Sequence, residues 1–200
     1  MPLKLGDKAI KLPFSKACLG SVLIYQKESS NTITFDTCPF PIEWNVPSGV
    51  DVTAYTYYTA DNEYGNWIIT ATSRYGSDYR VSNAFDGDSA SAYRTATLGT
   101  TDKMEVVIES PVEIKPNSIE ITYAYFGSES VIEGYNSKTG VWENICALTS
   151  SGSATTSNID NIETNNFYTK FRVCTNRYGS RNTTPYLYEF QITSGEIKEA

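Results

Sequence analysis

The chain contains no histidine among its 200 residues. This absence excludes Ser-His-Asp and Cys-His nucleophilic systems and removes the side chain that most often serves as a general base. Zinc binding is disfavoured as well, because the four cysteines lie far apart and form no CxxC pair. Neither a P-loop nor a GxGxxG motif is present. The common nucleotide-dependent and histidine-dependent enzyme classes are therefore excluded.

Positive charge is also scarce. The formal net charge is -7, and no cluster of lysine and arginine is longer than two residues. Nucleic-acid binding requires a concentrated positive surface, so we expect no nucleic-acid partner. The first 26 residues contain neither a secretory apolar segment nor about 20 continuous apolar residues, so we expect no signal peptide and no membrane span. Without an export signal, we expect the four cysteines to be reduced thiols. The sequence leaves open whether Cys146 and Cys174 pair.

Helical periodicity is nearly absent, and short runs rich in β-branched and aromatic residues dominate instead. Several alternate apolar with polar residues, and clusters of Gly, Asn, Ser, Asp or Pro separate them. The runs are SVLIYQ, NTITFD, DVTAYTYY, NWIITATS, KMEVVIES, NSIEITYAY, SVIEGYNS, VWENICALTS, NFYTKFRVCTN and PYLYEFQIT. This pattern predicts an all-β fold, an antiparallel β-sandwich or barrel.

The proline-rich stretch CPFPIEWNVPSG divides the chain. It suits an extended connector better than a strand interior. Residues 1–48 are too few to bury a core alone, so we interpret them as a short N-terminal β-arm that packs on a partner or on the main domain. Residues 49–200 form the predicted sandwich domain. Within it, the Ser/Thr/Asn-rich stretch 149–166 is predicted to be a long surface loop.

The stretch NAFDGDSASAYRTA, residues 83–96, has two local interpretations. Its Asp-Gly step is typical of a tight turn. Asp86, Asp88 and Ser91 also have the spacing at which a compact loop can direct carboxylate, carbonyl and hydroxyl oxygens at one Ca²⁺ ion. The EF-hand pattern is not met, because the required Gly and Glu are missing. Taken by itself, the turn is the commoner interpretation.

A longer comparison extends this pattern. The run WIITATSRYGSDYRVSNAFDGDSASAYRTA resembles the start of a discoidin domain, also called the coagulation factor V/VIII type C domain, and carbohydrate-binding modules of the same galactose-binding-like fold. Ser91 stands where threonine is usual and Tyr93 where tryptophan is usual. Four further segments match in order: KMEVVIESPVEIKPNSIEITYAY, VIEGYNSKTGVWENI, FYTKFRVCTN and YLYEFQIT. The resemblance covers residues 53–194 and implies a galactose-binding-like jelly roll.

The resemblance also implies a structural calcium ion. In carbohydrate-binding members of the family, the ion is held by this loop and by the glutamate of the last strand. The matching positions are Asn83 (carbonyl), Asp86 (carboxylate), Asp88 (carbonyl), Ser91 (carbonyl and hydroxyl), Tyr188 (carbonyl) and Glu189 (carboxylate). Such an ion would link the loop to the final strand.

The family places its sugar or partner site in loops at one end of the sandwich. The corresponding loops here are residues 59–66, 123–130 and 175–186. Their candidate ligand-binding residues are Tyr64, Tyr125, Phe126, Arg177, Tyr178, Arg181 and Asn182. Aromatic faces stack on pyranose rings, while Arg and Asn hydrogen-bond hydroxyls. Alternatively, these residues only cover the loops, or the loops contact another subunit.

We expect no catalysis. Carboxylate pairs such as Glu105/Glu109 and Glu129/Glu133 could in principle serve a glycosidase. Glu105 and Glu109 would share one face of a strand, where solvated charge is the ordinary explanation.

The segment IKLPFSKACLGSVLIYQ resembles a KxYLGSxxVY type of segment found near the start of many structural proteins of tailed bacteriophages, with Cys18 in the tyrosine position. This resemblance implies a virion component that needs no signal peptide, docked into the particle by its arm. A symmetric homo-oligomer, a dimer or trimer, would then be expected.

The sequence therefore predicts a non-enzymatic phage virion protein, as a fibre, tail or head decoration, whose sandwich attaches to glycans. Two alternatives remain open. One is a purely structural assembly protein whose sandwich contacts other virion proteins. The other is a carbohydrate-binding module of a bacterial glycan-degrading system.

Overall fold

The computed structural model describes residues 4–5, 8–9, 16–19, 22–26, 32–35, 56–58, 67–180 and 183–198. Its elements are fourteen strands and one turn of 3₁₀ helix at Val81–Ala84. The strands are β1 Lys4–Leu5, β2 Lys8–Ala9, β3 Lys16–Leu19, β4 Val22–Gln26, β5 Thr32–Phe35, β6 Thr56–Tyr58, β7 Ile68–Ala71, β8 Tyr93–Arg94, β9 Lys103–Ala124, β10 Val131–Asn136, β11 Val141–Ala147, β12 Thr155–Ile159, β13 Tyr168–Asn176 and β14 Tyr186–Lys198. No helix in these ranges is long and apolar enough to cross a membrane. The predicted all-β class is confirmed.

All strand pairs are antiparallel. The chain of neighbours runs β11-β10-β13-β9-β14-β5, while β7 and β12 also pair with β9. β8 pairs with the start of β14, and β6 with β7. Strands β1–β2 and β3–β4 form two separate hairpins.

Strand β9 belongs to both layers of the sandwich. The sequence predicts two strands here, whereas the structure has one strand of 22 residues. Its first part, 103–109, pairs with β13 and β7, and its second part, 113–124, pairs with β14 and β12. Pro111, which has no N–H to donate, lies between the two parts, where no partner register is assigned. One continuous backbone therefore carries the chain from one layer to the other.

The core lies between the two parts of β9 and their partners. Alternate residues of the strands point inward, as the period of a half-buried strand requires. Ile108, Phe171 and Val173 of the first layer share one buried cluster with Ile121 and Phe190 of the second. The structure is thus an antiparallel β-sandwich with a single core, as the sequence predicts.

The stretch 149–166 and the predicted N-terminal arm each contribute a strand to the sheet. The stretch 149–166 is not a loop throughout, because β12 pairs with β9 and Thr156 exchanges a hydroxyl hydrogen bond with Thr122 at 2.9 Å. Strand pairing uses backbone N–H and C=O groups, so a polar composition, which predicted a loop, does not prevent a strand. β5, within the predicted arm, pairs with the end of β14. Gly195 makes this possible, since a Cβ there would lie 2.9 Å from the Phe35 ring.

Cys146 and Cys174 are both free thiols. Burial raises the pKa of both thiols, which makes them poor nucleophiles at neutral pH.

Candidate functional site

The stretch 83–92 forms a closed loop after the 3₁₀ turn. The Asn83 side-chain amide donates to the carbonyls of Asp78, at 2.9 Å, and Ala92, at 3.3 Å, and so holds the two ends of the loop together. Gly87 has a φ of 74°, in the left-handed region that glycine adopts without strain. The Asp-Gly step therefore does make a turn, as the local sequence indicates.

Four oxygens converge inside this loop. The Ser91 hydroxyl lies 2.8 Å from Asp86 Oδ2, 3.1 Å from the Asn83 carbonyl and 3.2 Å from the Asp88 carbonyl. The other oxygen of Asp86 accepts the Asp88 amide at 2.9 Å, which fixes the carboxylate. Both local interpretations of the sequence therefore hold, because the turn itself brings the oxygens together.

Glu189 reaches this loop from β14. Its side chain is 7 % exposed, and its Oε2 accepts the Gly87 amide at 3.1 Å. The other oxygen, Oε1, is buried and has no hydrogen-bond partner among the described residues. Burial, and then the charge of Asp86, raises the pKa of Glu189 to about 7. An orphaned buried carboxylate oxygen beside another carboxylate is costly unless a cation balances it.

These residues fit a calcium ion. Ca²⁺ takes six to eight oxygen ligands, and the loop supplies carboxylate, carbonyl and hydroxyl oxygens of the required types. No group of three or more His, Cys, Asp or Glu close enough to share a metal occurs in the described ranges, so the two carboxylates need the neutral oxygens to complete a shell. Tyr188 lies at a bulge where the β14–β9 register shifts between Leu187 and Glu189. A bulge frees one residue from the ladder, which suits a carbonyl ligand.

A second candidate site lies where the loops after β9, β11 and β13 meet. It is a groove of about 530 Å³, lined by Thr100, Ser128, Ser150, Asn176, Arg177, Tyr178 and Gly179, which we call the loop-end groove. Its lining is mostly polar, and Tyr178 supplies an aromatic face that is 37 % exposed. A methyl group at Gly152 would lie 2.7 Å from the Tyr178 ring, so this glycine lets the ring lie against the backbone.

The groove has a rigid base. The Phe126 carbonyl accepts hydrogen bonds from the Ser150 hydroxyl at 3.0 Å and the Ser151 amide at 3.1 Å, and Phe126 also bridges to Arg177. Behind it, the buried Ser130 and Thr175 hydroxyls are 2.5 Å apart. Each of the three loops is therefore tied to the others by backbone or buried polar contacts.

The predicted ligand-binding residues have different positions. Tyr125 and Tyr178 come together, with ring centres 6.3 Å apart, and Arg177 lines the groove. Phe126 is 0 % exposed and packs against Tyr123 in the core, so its predicted role as a ligand contact is wrong. A side chain without exposed surface holds the loops from below and cannot touch a sugar. Tyr64, Arg181 and Asn182 lie outside the described residues.

Beside the groove, six tyrosines form one continuous surface cluster, which we call the tyrosine cluster: Tyr75, Tyr79, Tyr125, Tyr178, Tyr186 and Tyr188. Tyr125 is 41 % exposed and has a φ of 58°, a conformation rare for a bulky residue. Strained residues of this kind concentrate at functional sites. Burial first, and then the neighbouring phenols, raise the pKa of Tyr188.

Sequence reasoning missed most of this surface. Tyr186 and Tyr188 could have been found, because residues two apart in a strand share a face. Tyr75, Tyr79 and Asn176 carry no local signal, since only the tertiary structure brings their loops together.

The glutamate pairs considered for catalysis are engaged in ion pairs. Glu105 and Glu133 both contact Arg172, at 3.2 Å and 2.5 Å. Glu109 contacts Lys170 at 2.9 Å, and Glu129 contacts Lys103 at 3.2 Å. The pairs made by Lys170 and Arg172 connect neighbouring strands, whereas Glu129 lies in the turn between β9 and β10.

No family model and no curated protein sequence matches this chain. Solved structures with a similar arrangement of strands include chitosan-binding module 1 of a chitosanase/glucanase from Paenibacillus sp. IK-5, at 20 % identity and a TM-score of 0.48, over 62 % of this chain and 91 % of that one. A family 32 carbohydrate-binding module from C. perfringens NanJ, in complex with galactose, has 16 % identity and a TM-score of 0.46, over 65 % and 93 %. An F5/8 type C domain from Bacteroides fragilis has 11 % identity and a TM-score of 0.46, over 73 % and 99 %. Similarity of this size assigns no ligand to the present chain.

Proposed function

We propose that this chain is a non-enzymatic glycan-binding protein that holds its sugar in the loop-end groove. The observation that carries the proposal is the pairing of a polar groove of about 530 Å³ with two exposed tyrosine rings, Tyr125 and Tyr178, at its edge. Sugar sites combine an aromatic face for the C–H side of a pyranose with amide and guanidinium donors for its hydroxyls. Asn176 and Arg177 supply such groups here.

The calcium ion has a structural role in this proposal. Asn83, Asp86, Asp88, Ser91, Tyr188 and Glu189 would hold it, and it would join the loop to β14. The proposal of no catalysis is supported by the ion pairs of the four glutamates, since paired carboxylates are poor candidates for general acid and base.

A glycan array tests the binding. We expect selective binding that Tyr178→Ala reduces by roughly two- to twelvefold, because a contact with an aromatic ring contributes about 0.5–1.5 kcal/mol. Tyr135→Ala, a partly buried tyrosine that packs on Trp142 in the β10–β11 hairpin, is the matched control and should bind normally. Silence across bacterial glycans, together with capture of a defined protein partner, would instead support the purely structural alternative.

The biological setting is a separate part of the proposal. The resemblance of residues 10–26 to phage structural proteins supports a virion location, with docking to other virion proteins through the arm. The carbohydrate-binding module of a glycan-degrading system is the alternative. Genes for capsid, portal or tail proteins beside this one would support the virion setting, and a neighbouring glycoside hydrolase would support the module. Light scattering would test the expected dimer or trimer.

A further inference from the structure

Arg94 lies at the centre of the tyrosine cluster. Its guanidinium carbon is 3.7 Å from the ring centre of Tyr75, 4.8 Å from that of Tyr186 and 5.4 Å from that of Tyr79. Its Nε donates to Thr184 Oγ1 at 2.9 Å. The guanidinium group is therefore held in place by tyrosine rings and by one hydroxyl. Its Nη1 and Nη2 donors have no hydrogen-bond partner among the described residues.

Arg94 differs in this respect from the other basic residues of strands β8–β14. Each of those has a glutamate partner: Lys103 with Glu129, Lys115 with Glu196, Lys170 with Glu109, Arg172 with Glu105 and Glu133, and Lys198 with Glu113. Arg94 contacts no carboxylate in the described part of the chain. Acidic residues outnumber basic ones, 23 to 16, so carboxylates are not in short supply. Stacking on tyrosine leaves the cation ready for an anion from outside the chain.

We propose that Arg94, together with Tyr75 and Tyr186, binds the oxyanion of an acidic sugar residue, a carboxylate or a sulfate on a pyranose. This inference rests on the proposed glycan binding and names the class of glycan. A planar guanidinium binds two oxygens of such a group at once, and charge-assisted hydrogen bonds are about twice as strong as neutral ones. Tyr75 is 54 % exposed, so part of its ring is accessible to a sugar beside the guanidinium.

The Arg94 site and the loop-end groove are continuous. The Tyr125 ring centre is 5.9 Å from that of Tyr186 and 6.3 Å from that of Tyr178. Tyr125 therefore stands between the guanidinium and the groove. A single oligosaccharide can place a neutral unit at Tyr178 and an acidic unit at Arg94.

Calorimetric titration at about 0.15 M salt tests the inference, with salt held constant because it screens charge. The probes are oligogalacturonate, its fully methyl-esterified form and a sulfated galactan oligosaccharide. We expect the wild type to bind one of the anionic probes at least about tenfold tighter than the ester. The anionic probe that binds more tightly than the ester identifies the oxyanion as a carboxylate or a sulfate.

Variants separate the two proposals. Arg94→Gln should remove the anionic preference and leave binding of the ester within about twofold, whereas Arg94→Lys, which keeps the charge without the fork, should retain only part of it. Lys138→Gln, in the β10–β11 turn, is the matched charge control and should keep the full preference. Tyr178→Ala should weaken both anionic and neutral probes. Thermal unfolding of each variant checks that it folds. If Arg94→Gln does not fold, the loss of anionic preference is measured on Arg94→Lys instead.

The outcomes are distinguishable. If the wild type binds neither anionic probe more tightly than the ester, or if the preference persists in Arg94→Gln, the Arg94 site is overturned while the groove proposal stands. Loss of the preference in Arg94→Gln with no effect of Tyr178→Ala supports the Arg94 site and overturns the groove. If no probe binds and the glycan array is silent, both proposals fall.

Discussion

The backbone amide of Gly87 donates a hydrogen bond to Oε2 of Glu189, 3.1 Å away and 102 residues later in the chain. This contact connects the loop after the 3₁₀ turn with the last strand. It satisfies one oxygen of a buried carboxylate and leaves the other, Oε1, without a partner among the described residues. A calcium ion would complete this arrangement by binding the free oxygen.

Calcium should stabilise the protein. At about 100-fold excess over its Kd, Ca²⁺ should raise the Tm by roughly 5–10 °C, because binding to the folded state alone adds about 2.7 kcal/mol. Asp86→Ala should abolish this gain, since it removes the carboxylate that contacts Ser91. Differential scanning fluorimetry with Ca²⁺ and with a chelator measures both. Asp160→Ala, at an exposed aspartate outside the loop, should keep the gain. Identical melting of the wild type in calcium and chelator would contradict the site.

The metal-free protein should lose stability as the pH rises from about 4.5 to about 7. The pKa of Glu189 is about 7 in the folded state and near 4.5 in the unfolded state, so the folded state holds the extra proton across this window. The loss should be on the order of 3 kcal/mol and should level off above pH 7. Urea unfolding in chelator at several pH values measures it.

Glu189→Gln is the control for this pH dependence, and the difference between wild type and variant isolates Glu189 from other titrating groups. Calcium should suppress the loss in the wild type, because the ion binds the ionised carboxylate. A wild type and a variant with the same pH profile would show that Glu189 is ionised normally.

Gly87→Ala should cost about 1–2 kcal/mol of unfolding free energy. An added Cβ meets nothing within 4 Å, so the cost comes from the φ of 74° alone. Gly76→Ala is the matched control, because its Cβ also meets nothing and its φ is not in the left-handed region. That variant should be neutral or slightly stabilised, and urea denaturation compares the two. Equal stability of both variants would mean that the turn relaxes without glycine.

Gly152→Ala should displace the Tyr178 ring, because the new methyl group would lie 2.7 Å from a ring carbon. The expected result is a shift of the Tyr178 ring resonances in tyrosine-labelled NMR spectra, with roughly tenfold weaker binding of any glycan that the array identifies. Ser153→Ala, exposed in the same loop, should change neither. Unmoved Tyr178 resonances would show that the loop yields instead of the ring.

The loop of residues 83–92 was predictable because its chemistry is local. Local spacing alone singled out Asp86, Asp88 and Ser91, and the structure brings oxygens of Asp86 and Asp88 to the Ser91 hydroxyl. Asn83, Tyr188 and Glu189 came only through the resemblance, and no spacing rule connects the loop to residues a hundred positions away. Phe126 was misassigned because a loop residue next to an exposed tyrosine can still point into the core.

The sequence by itself determined the all-β class and the inward-facing positions of the long strand β9, because alternation with a period of two is a property of neighbouring residues. It also determined the turn at Gly87. The tertiary structure alone decided that β9 passes through both layers, that β12 pairs across a polar stretch, and that Arg94 meets tyrosines from two distant segments. The physical reason is that pairing and packing partners are chosen by the whole core, whereas sequence patterns record only which face of a segment is apolar.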